Sequence, residues 1–316
     1  MKRVLTALVL VPLVLLIVFK APLWLFSVVV GLIILLCLHE YLGIVERYGI
    51  EPLRWPAYLL SILVVVATFS RIYVELNPPV HRYDISWPIE TVFVSSILFL
   101  LPLIFGIPLV FRRDLRMGLA AAAGSAFGVV YIAASLSLLM LMRWTPGLGI
   151  LVVFVLISVW AGDIAAYYVG KTLGRHKLAP VVSPNKTWEG AIASLLVTVG
   201  VAFAIFHFSA QISRPFGQWP LYWLGPAPEY NYVLSFPFLH RTLSPLQISS
   251  LGIISNIAAQ FGDLFESAIK RGAQVKDSGS LLPGHGGILD RIDALLFAIP
   301  AVWYYAKLIG FTYFLQ

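Results

Sequence analysis

Long runs of apolar residues alternate with short polar segments along almost the whole chain. Each run approaches or exceeds the roughly 20 residues that a helix needs to cross a bilayer. The runs lack the alternation of apolar and polar residues that is typical of strands in a membrane barrel. The pattern therefore predicts an all-α, polytopic membrane protein with about nine transmembrane helices, at 4–19, 22–42, 57–75, 91–111, 117–142, 148–169, 190–209, 244–268 and 292–313.

Composition agrees with a lipid environment. Hydrophobic residues make up 59% of the chain and charged residues 12%, with a mean hydropathy of +0.89. Soluble domains carry about 25% charged residues. The single cysteine, Cys37, lies inside the second apolar run, which excludes an intrachain disulfide and a zinc site built from several cysteines.

The basic residues predict the orientation. With a cytoplasmic N-terminus, 15 of the 22 lysines and arginines fall on the cytoplasmic side and 7 on the other, as the positive-inside rule expects. The net charge of +7 then follows from topology and requires no nucleic acid. Lys2 and Arg3 precede the first run without a small-x-small cleavage site after it, so we expect a retained anchor. The expected location is the cell (inner) membrane, as a multi-pass protein.

Two polar stretches interrupt this pattern on the predicted cytoplasmic side. The first runs from Trp160 to Ala191, places Asp163 within an apolar helix and includes the turn "SPNKTWEG". It could simply cover lipid headgroups, or it could hold a nucleotide, although the full Walker motif is absent from the sequence here. We divide the chain into N-terminal transmembrane helices (1–116), a middle region with this loop (117–189) and a C-terminal catalytic region (190–316).

The second stretch concentrates acids next to bases. Asp263 and Glu266 share a helical face, and Asp290 and Asp293 repeat that spacing at the start of the last apolar run. A charge in hydrocarbon costs about 2.5–3.5 kcal/mol even on lenient scales. The acids could therefore form salt bridges, line a proton or sodium path, or bind a divalent cation with phosphate. The glycine-rich "PGHGG" segment favours the last alternative, because glycines let backbone N–H groups approach an anion.

The stretch "SAIKRGAQVKDSGSLLPGHGGILDRID", residues 267–293, resembles the signature of the phosphatidate cytidylyltransferase family, the CDP-diacylglycerol synthases. The fixed positions of that signature are met at Ser267, Lys270-Arg271, Lys276-Asp277, Gly279, Pro283, His285-Gly286-Gly287, Asp290-Arg291 and Asp293. The segments "GDLFES" and "SPNKTWEG" also resemble family motifs in the same order. The resemblance covers the chain from Trp160 onward, and the first 150 residues only in hydropathy.

The resemblance implies a magnesium-dependent nucleotidyltransferase that converts phosphatidate and CTP to CDP-diacylglycerol and pyrophosphate in phospholipid biosynthesis. It implies Asp263 and Asp290 as metal ligands, with Asp293 a third ligand or an orienting group, and it leaves room for a second cation. The implied catalytic residues are Asp290, Asp293, Lys270, Lys276 and His285, the last as an orienting donor. The implied substrate-binding residues are Ser183, Asn185, Lys186, Thr187, Ser267, Arg271, Asp277, Gly286, Gly287 and Arg291.

The expected partners are CTP, phosphatidate and membrane lipid, with no nucleic acid, and the family suggests a homodimer. Two other functions stay open at this point. A CTP-dependent polyprenol or phytol kinase would share a cytoplasmic CTP loop, and an ion-coupled transporter would also explain nine helices with buried acids.

Overall fold

The computed structural model describes residues 12–76, 100–101, 103–111, 116–144, 149–208, 243–281 and 286–309. The predicted spans 4–19, 91–111 and 292–313 lie partly outside these residues, as do one end residue each of 148–169 and 190–209. His285 lies wholly outside them. The described chain is mostly helical, as the apolar runs predict.

The helices are numbered here in chain order. They are α1 (12–20), α2 (Leu23–Arg47), α3 (Arg54–Leu76), α4 (103–110), α5 (Gly118–Trp144), α6 (Gly149–Thr172), α7 (Trp188–His207), α8 (Pro245–Gly272) and α9 (Leu289–Leu308). Helix α5 contains a π-helical segment at Val129–Ala134.

Five helices in the described part are long and apolar enough to cross a membrane: Leu23–Arg47, Arg54–Val74, Gly118–Trp144, Gly149–Thr172 and Trp188–His207. They confirm an integral membrane protein with several apolar helices. The predicted spans 244–268 and 292–313 fall on α8 and α9, both helical but with more polar residues. The total of nine spans and the orientation stay predictions.

A short antiparallel hairpin follows α6, which an all-α fold did not predict. Strand β1 (Lys177–Ala179) pairs with β2 (Ser183–Thr187), with Lys177 opposite Thr187 and Ala179 opposite Ser183. Pro184 biases the preceding residue towards extended backbone, which suits a strand. The "SPNKT" stretch is therefore a strand that leads directly into α7, where we had expected a turn.

The chain forms two compact units, each assembled from separate stretches. Unit 1 comprises Met1–Pro22, Met142–Arg271 and Arg291–Gln316, and unit 2 comprises Leu23–Leu141 and Gly272–Asp290. In unit 1, α6 packs along α7, and Phe154 is fully buried. In unit 2, α2, α3 and α5 pack together.

Small residues bring the helices of unit 2 close. A Cβ atom at Gly128 would lie 2.6 Å from a ring carbon of Tyr41, so α5 can pack this tightly on α2 only with glycine there. The hydroxyl of Tyr41 donates a hydrogen bond to the carbonyl of Gly124, at 3.1 Å. This hydrogen bond holds the part of α2 that carries Glu40 against α5.

Candidate active site

The hairpin places Lys186 at the N-terminus of α7. Thr187 is the N-cap of that helix, and its buried hydroxyl accepts a hydrogen bond from the backbone N–H of Gly190 at 3.2 Å. A Thr at this position satisfies one of the free N–H groups in the first turn. The backbone N–H of Trp188 also donates to the carbonyl of His176, at 2.9 Å. These bonds tie both strands to the start of the helix, so the position of Lys186 is well defined.

Lys186 reaches the acidic face of α8. Its ammonium nitrogen lies 2.5 Å from Oδ2 of Asp263, and the two side chains are 26% and 33% exposed. The hydroxyl of Ser267 donates to Oδ1 of Asp263 at 3.4 Å. Asp163 on α6 lies within electrostatic range of both Lys186 and Asp263. The sequence analysis had placed Asp163 within an apolar helix without giving it a role in the site.

A second ion pair lies one turn further along α8. Glu266 is almost fully buried, at 1% exposure, and pairs with Lys270 in the i, i+4 arrangement that favours helices. The carboxylate of Asp293 on α9 lies within electrostatic range of Asp263, Glu266 and Lys270. We call Lys186, Asp263, Glu266, Lys270 and Asp293 the unit 1 cluster.

A glycine lets α8 and α9 come together at this cluster. A Cβ atom at Gly262 would lie 2.6 Å from the carbonyl oxygen of Asp293 and 3.2 Å from the Cα of Ala294. Since Gly262 precedes Asp263, this close approach brings the two aspartates into one neighbourhood. The cluster thus places two cations beside three carboxylates.

The loop that carries the signature belongs to unit 2. We call residues 276–289 the signature loop; the structure describes 276–281 and 286–289. Both oxygens of Asp290 accept from the backbone N–H of Ser278, at 3.0 and 3.1 Å. Oδ2 also accepts from the backbone N–H of Gly287, at 2.8 Å. Asp290 therefore holds the two described parts of the loop together.

Gly286 adopts a backbone conformation that favours glycine. Its φ is +78°, and a Cβ atom there would lie 2.6 Å from Oδ2 of Asp290. A side chain at Gly286 would thus be strained by the backbone and would press on Asp290.

Glu40 is a site residue that the sequence analysis missed. It lies on α2, is 5% exposed, and accepts three hydrogen bonds from the signature loop. The donors are the hydroxyl of Ser278 at 3.0 Å, the backbone N–H of Ile288 at 3.1 Å and the backbone N–H of Leu289 at 2.9 Å. An acid inside the apolar run "LCLHEYLG" was the available signal.

The other predicted residues are distributed as follows. Arg271 at the end of α8 donates from Nε to the carbonyl of Val182 in the hairpin turn, at 3.4 Å. Ser183 and Asn185 lie on β2 with Lys186. The side chains of Lys276, Asp277 and Arg291 are exposed.

The predicted metal ligands fit magnesium in their chemistry. Magnesium prefers carboxylate oxygens, and Asp263 and Asp293 supply them in one neighbourhood. No group of three or more His, Cys, Asp or Glu side chains with metal-binding geometry occurs among the described residues. The three-aspartate ligand set therefore stays a prediction.

The sequence of this chain is similar to those of known cytidylyltransferases. The model of the cytidylyltransferase family matches residues 1–309. A phosphatidate cytidylyltransferase of Bacillus subtilis is 39% identical over 148 residues, and one of Haemophilus influenzae is 37% identical over 155 residues. These two alignments cover 47% and 49% of this chain and only 44% and 45% of those relatives.

A third relative aligns over nearly its whole length. The phosphatidate cytidylyltransferase of Synechocystis is 32% identical over 311 residues, covering 90% of this chain and 89% of the relative. The matches thus extend beyond the signature into the N-terminal helices, where the sequence had offered only hydropathy. The chain belongs to the cytidylyltransferase family, as its signature predicted.

Proposed function

We propose that this chain is a phosphatidate cytidylyltransferase, which joins the cytidylyl group of CTP to phosphatidate and releases pyrophosphate. The relatives of this name support the assignment, and so does the contact between Lys186 and Asp263. That contact joins the "SPNKT" strand to the helix that carries Asp263 and the first residues of the signature, as expected if both segments serve one reaction.

The reaction joins two polyanions, so its main demand is charge neutralisation. A phosphate oxygen of phosphatidate attacks the α-phosphorus of CTP, and the bond from that phosphorus to the bridging oxygen breaks to release pyrophosphate. Phosphoryl transfer of this kind depends chiefly on positioning and electrostatic stabilisation. Lys186 and Lys270 supply positive charge inside the unit 1 cluster, and the exposed Arg271, Lys276 and Arg291 are proposed to bind phosphate oxygens.

Asp263 and Asp293 are the residues of unit 1 that would hold magnesium. When bound, the ion would neutralise phosphate oxygens and help the pyrophosphate to leave. Asp263 currently pairs with Lys186, so metal binding would require the lysine to turn to the triphosphate. Asp290, the other metal ligand that the resemblance implies beside Asp263, is proposed as a ligand on that resemblance alone.

The signature loop offers phosphate a different kind of contact. On the resemblance, Gly286 and Gly287 are proposed to let phosphate approach the backbone, although the N–H of Gly287 also donates to Asp290. Ser183, Asn185 and Thr187 are proposed to shape the nucleotide site around Lys186, although Thr187 also serves as the N-cap of α7. His285 is proposed as an orienting donor, and Ser267 and Asp277 as substrate contacts.

The proposed setting is the inner cell membrane, with these loops in the cytoplasm, where CTP is found. The homodimer and a second cation also remain proposals that rest on the resemblance. The two alternative functions are not favoured, because both the family model and the named relatives indicate a cytidylyltransferase.

Two labels on CTP test the function. Purified protein in detergent with magnesium and phosphatidate should transfer label from [α-³²P]CTP to lipid and release label from [γ-³²P]CTP as pyrophosphate. A polyprenol kinase would instead move the γ label to polyprenol. Failure of the α label to reach lipid, in a preparation that remains monodisperse, would contradict the proposal.

A further inference from the structure

Glu40 is a buried acid in the part of the chain where the sequence showed no chemistry. It lies near the C-terminal end of α2, in unit 2, with a side chain 5% exposed. Carrying a carboxylate into a membrane-embedded helix is costly unless hydrogen bonds compensate it. Such a residue is therefore expected to have a specific partner.

That partner is the signature loop. The Glu40 carboxylate accepts from the hydroxyl of Ser278 in the first described part of the loop. It also accepts from the backbone N–H groups of Ile288 and Leu289 at the other end. One side chain thus connects both described parts of the loop, and all of these residues belong to unit 2.

The two backbone donors lie at the N-terminus of a helix, where N–H groups lack partners within the helix. Leu289 is the first residue of α9, and Ile288 precedes it. The first N–H groups of a helix have no partner within the helix, and a negative charge there is stabilised by the helix dipole. Glu40 satisfies these two groups from α2, so the position of Leu289 depends on α2.

The loop is shaped to receive this carboxylate. A Cβ atom at Gly279 would lie 2.6 Å from Oε1 of Glu40, and one at Gly287 would collide with both the Glu40 carboxylate and the Ser278 hydroxyl. Two glycines of the signature therefore make room for Glu40. This gives them a role in packing in addition to any approach to phosphate.

Glu40 and Asp290 accept hydrogen bonds from different groups of the signature loop. Asp290 accepts from the backbone of Ser278 and Gly287, whereas Glu40 accepts from the side chain of Ser278 and from Ile288 and Leu289. Asp290 belongs to the signature itself, but Glu40 comes from a helix far away in the sequence. Without Glu40, Asp290 alone would link the two described parts through these bonds.

We propose that Glu40 is a positioning residue for nucleotidyl transfer, which fixes the signature loop and the start of α9 from the N-terminal helices. The catalytic part of this proposal rests on the proposed cytidylyltransferase function; the effect on the loop does not. Glu40 is not expected to touch CTP or phosphatidate. Its loss should therefore lower kcat more than it changes KM for CTP.

The test compares Glu40→Gln with Glu46→Gln in full-length protein in detergent. Glu46 lies on the same helix but is exposed and pairs with Arg54, so it is a matched control. Hydrogen–deuterium exchange is measured on peptides covering 276–292, together with kcat and KM. Because hydrogen bonds to a charged group are worth more than neutral ones, we expect Glu40→Gln to speed exchange at Ile288 and Leu289 by about tenfold or more and to lower kcat by a similar factor. Glu46→Gln should change neither.

Ser278→Ala provides a second route, because it removes one donor while leaving the charge of Glu40 in place. It should speed exchange in the loop and lower kcat less than Glu40→Gln does, and it should add little in the Glu40→Gln background. If Glu40→Gln does not fold, Ser278→Ala tests the proposal in its place. Unchanged exchange and unchanged kcat in the Ser278→Ala protein would then overturn the proposal.

The remaining outcomes are also distinct. Unchanged exchange in a folded Glu40→Gln protein would overturn the positioning role, and faster exchange with unchanged kcat would overturn its importance for the reaction. A wild-type protein that makes no CDP-lipid would overturn the proposed function and with it the catalytic part. The exchange experiment would still show whether Glu40 holds the loop.

Discussion

The ammonium group of Lys186 lies 2.5 Å from a carboxylate oxygen of Asp263. The contact joins strand β2, which lies in the first polar stretch, to helix α8, whose C-terminal end begins the signature. Lysine pairs with an aspartate on a partly exposed surface here, so the pair itself adds little stability. Its significance is that it brings a positive charge to the proposed metal ligand.

Replacing Lys186 tests whether this lysine serves the nucleotide or only the membrane surface. A single lysine that attracts anionic lipid is worth about 1 kcal/mol. If Lys186 contacts CTP phosphate, Lys186→Ala should lower kcat/KM for CTP by more than about tenfold, or about 1.4 kcal/mol. Steady-state kinetics at saturating phosphatidate measure this loss.

Lys177→Ala is the matched control, because Lys177 lies on β1 of the same hairpin, opposite Thr187, and its side chain is exposed. It should retain nearly wild-type kinetics. Equal and small losses for the two lysines would mean that the hairpin covers lipid headgroups and does not bind the nucleotide.

The sequence was sufficient to predict much of unit 1. Apolar runs predicted the helices, and the i, i+3 spacing of Asp263 and Glu266 placed both acids on one face of α8. The motif "SPNKT" was assigned to the site through the family resemblance, and the structure places its Lys186 against Asp263. These features could be predicted because they depend on residues close together in the chain or on a fixed signature.

Glu40 and the hairpin show what a single sequence does not reveal. The partners of Glu40 are at Ser278, Ile288 and Leu289, and only tertiary packing brings α2 to them. The hairpin was missed because strands this short carry too few residues for a period-two pattern. The contacts of Glu40 and the pairing of the two strands both depend on the tertiary fold, and the local sequence does not reveal them.

Removing the charge of Asp263 should abolish the effect of magnesium. In the wild type, added magnesium with CTP should raise the thermal midpoint, because a ligand that binds only the folded state stabilises it. Asp263→Asn should lose this shift and lose activity by orders of magnitude while staying folded, and Asp293→Asn should weaken both. Differential scanning fluorimetry and the labelled-CTP assay measure the two effects.

Glu46→Gln controls for the removal of one negative charge at a site remote in sequence from the cluster. It should keep both the magnesium-dependent shift and the activity. Asp263→Asn protein with a normal shift and a normal rate would be incompatible with Asp263 as a metal ligand.

The glycines of the signature loop should not tolerate alanine. At Gly286 the φ of +78° is unfavourable for a residue with a side chain, by about 1–3 kcal/mol. At Gly287 the added methyl group would displace Glu40. We therefore expect Gly286→Ala and Gly287→Ala each to lower the thermal midpoint and to reduce kcat.

Gly43→Ala is the control for these substitutions. Gly43 lies within α2, and nothing lies within 4 Å of a Cβ atom built there. Alanine is favoured over glycine inside a helix by about 0.5–1 kcal/mol, so this change should be neutral or stabilising. Tolerance of alanine at Gly287 in the same assays would show that the carboxylate of Glu40 does not fill that space.

The predicted topology can be tested by labelling the hairpin from one side of the membrane. Val181 lies in the turn between β1 and β2 and is 88% exposed, whereas the native Cys37 is fully buried, so Val181→Cys should be the reactive thiol. With nine spans and a cytoplasmic N-terminus, a membrane-impermeant maleimide should label it in inside-out vesicles and leave it unlabelled in intact cells. A reporter fused after Gln316 should lie on the opposite, external side. Labelling of Val181→Cys in intact cells would show that the orientation is reversed and that the hairpin has no access to cytoplasmic CTP. Finding both probes on the cytoplasmic side would require an even number of spans.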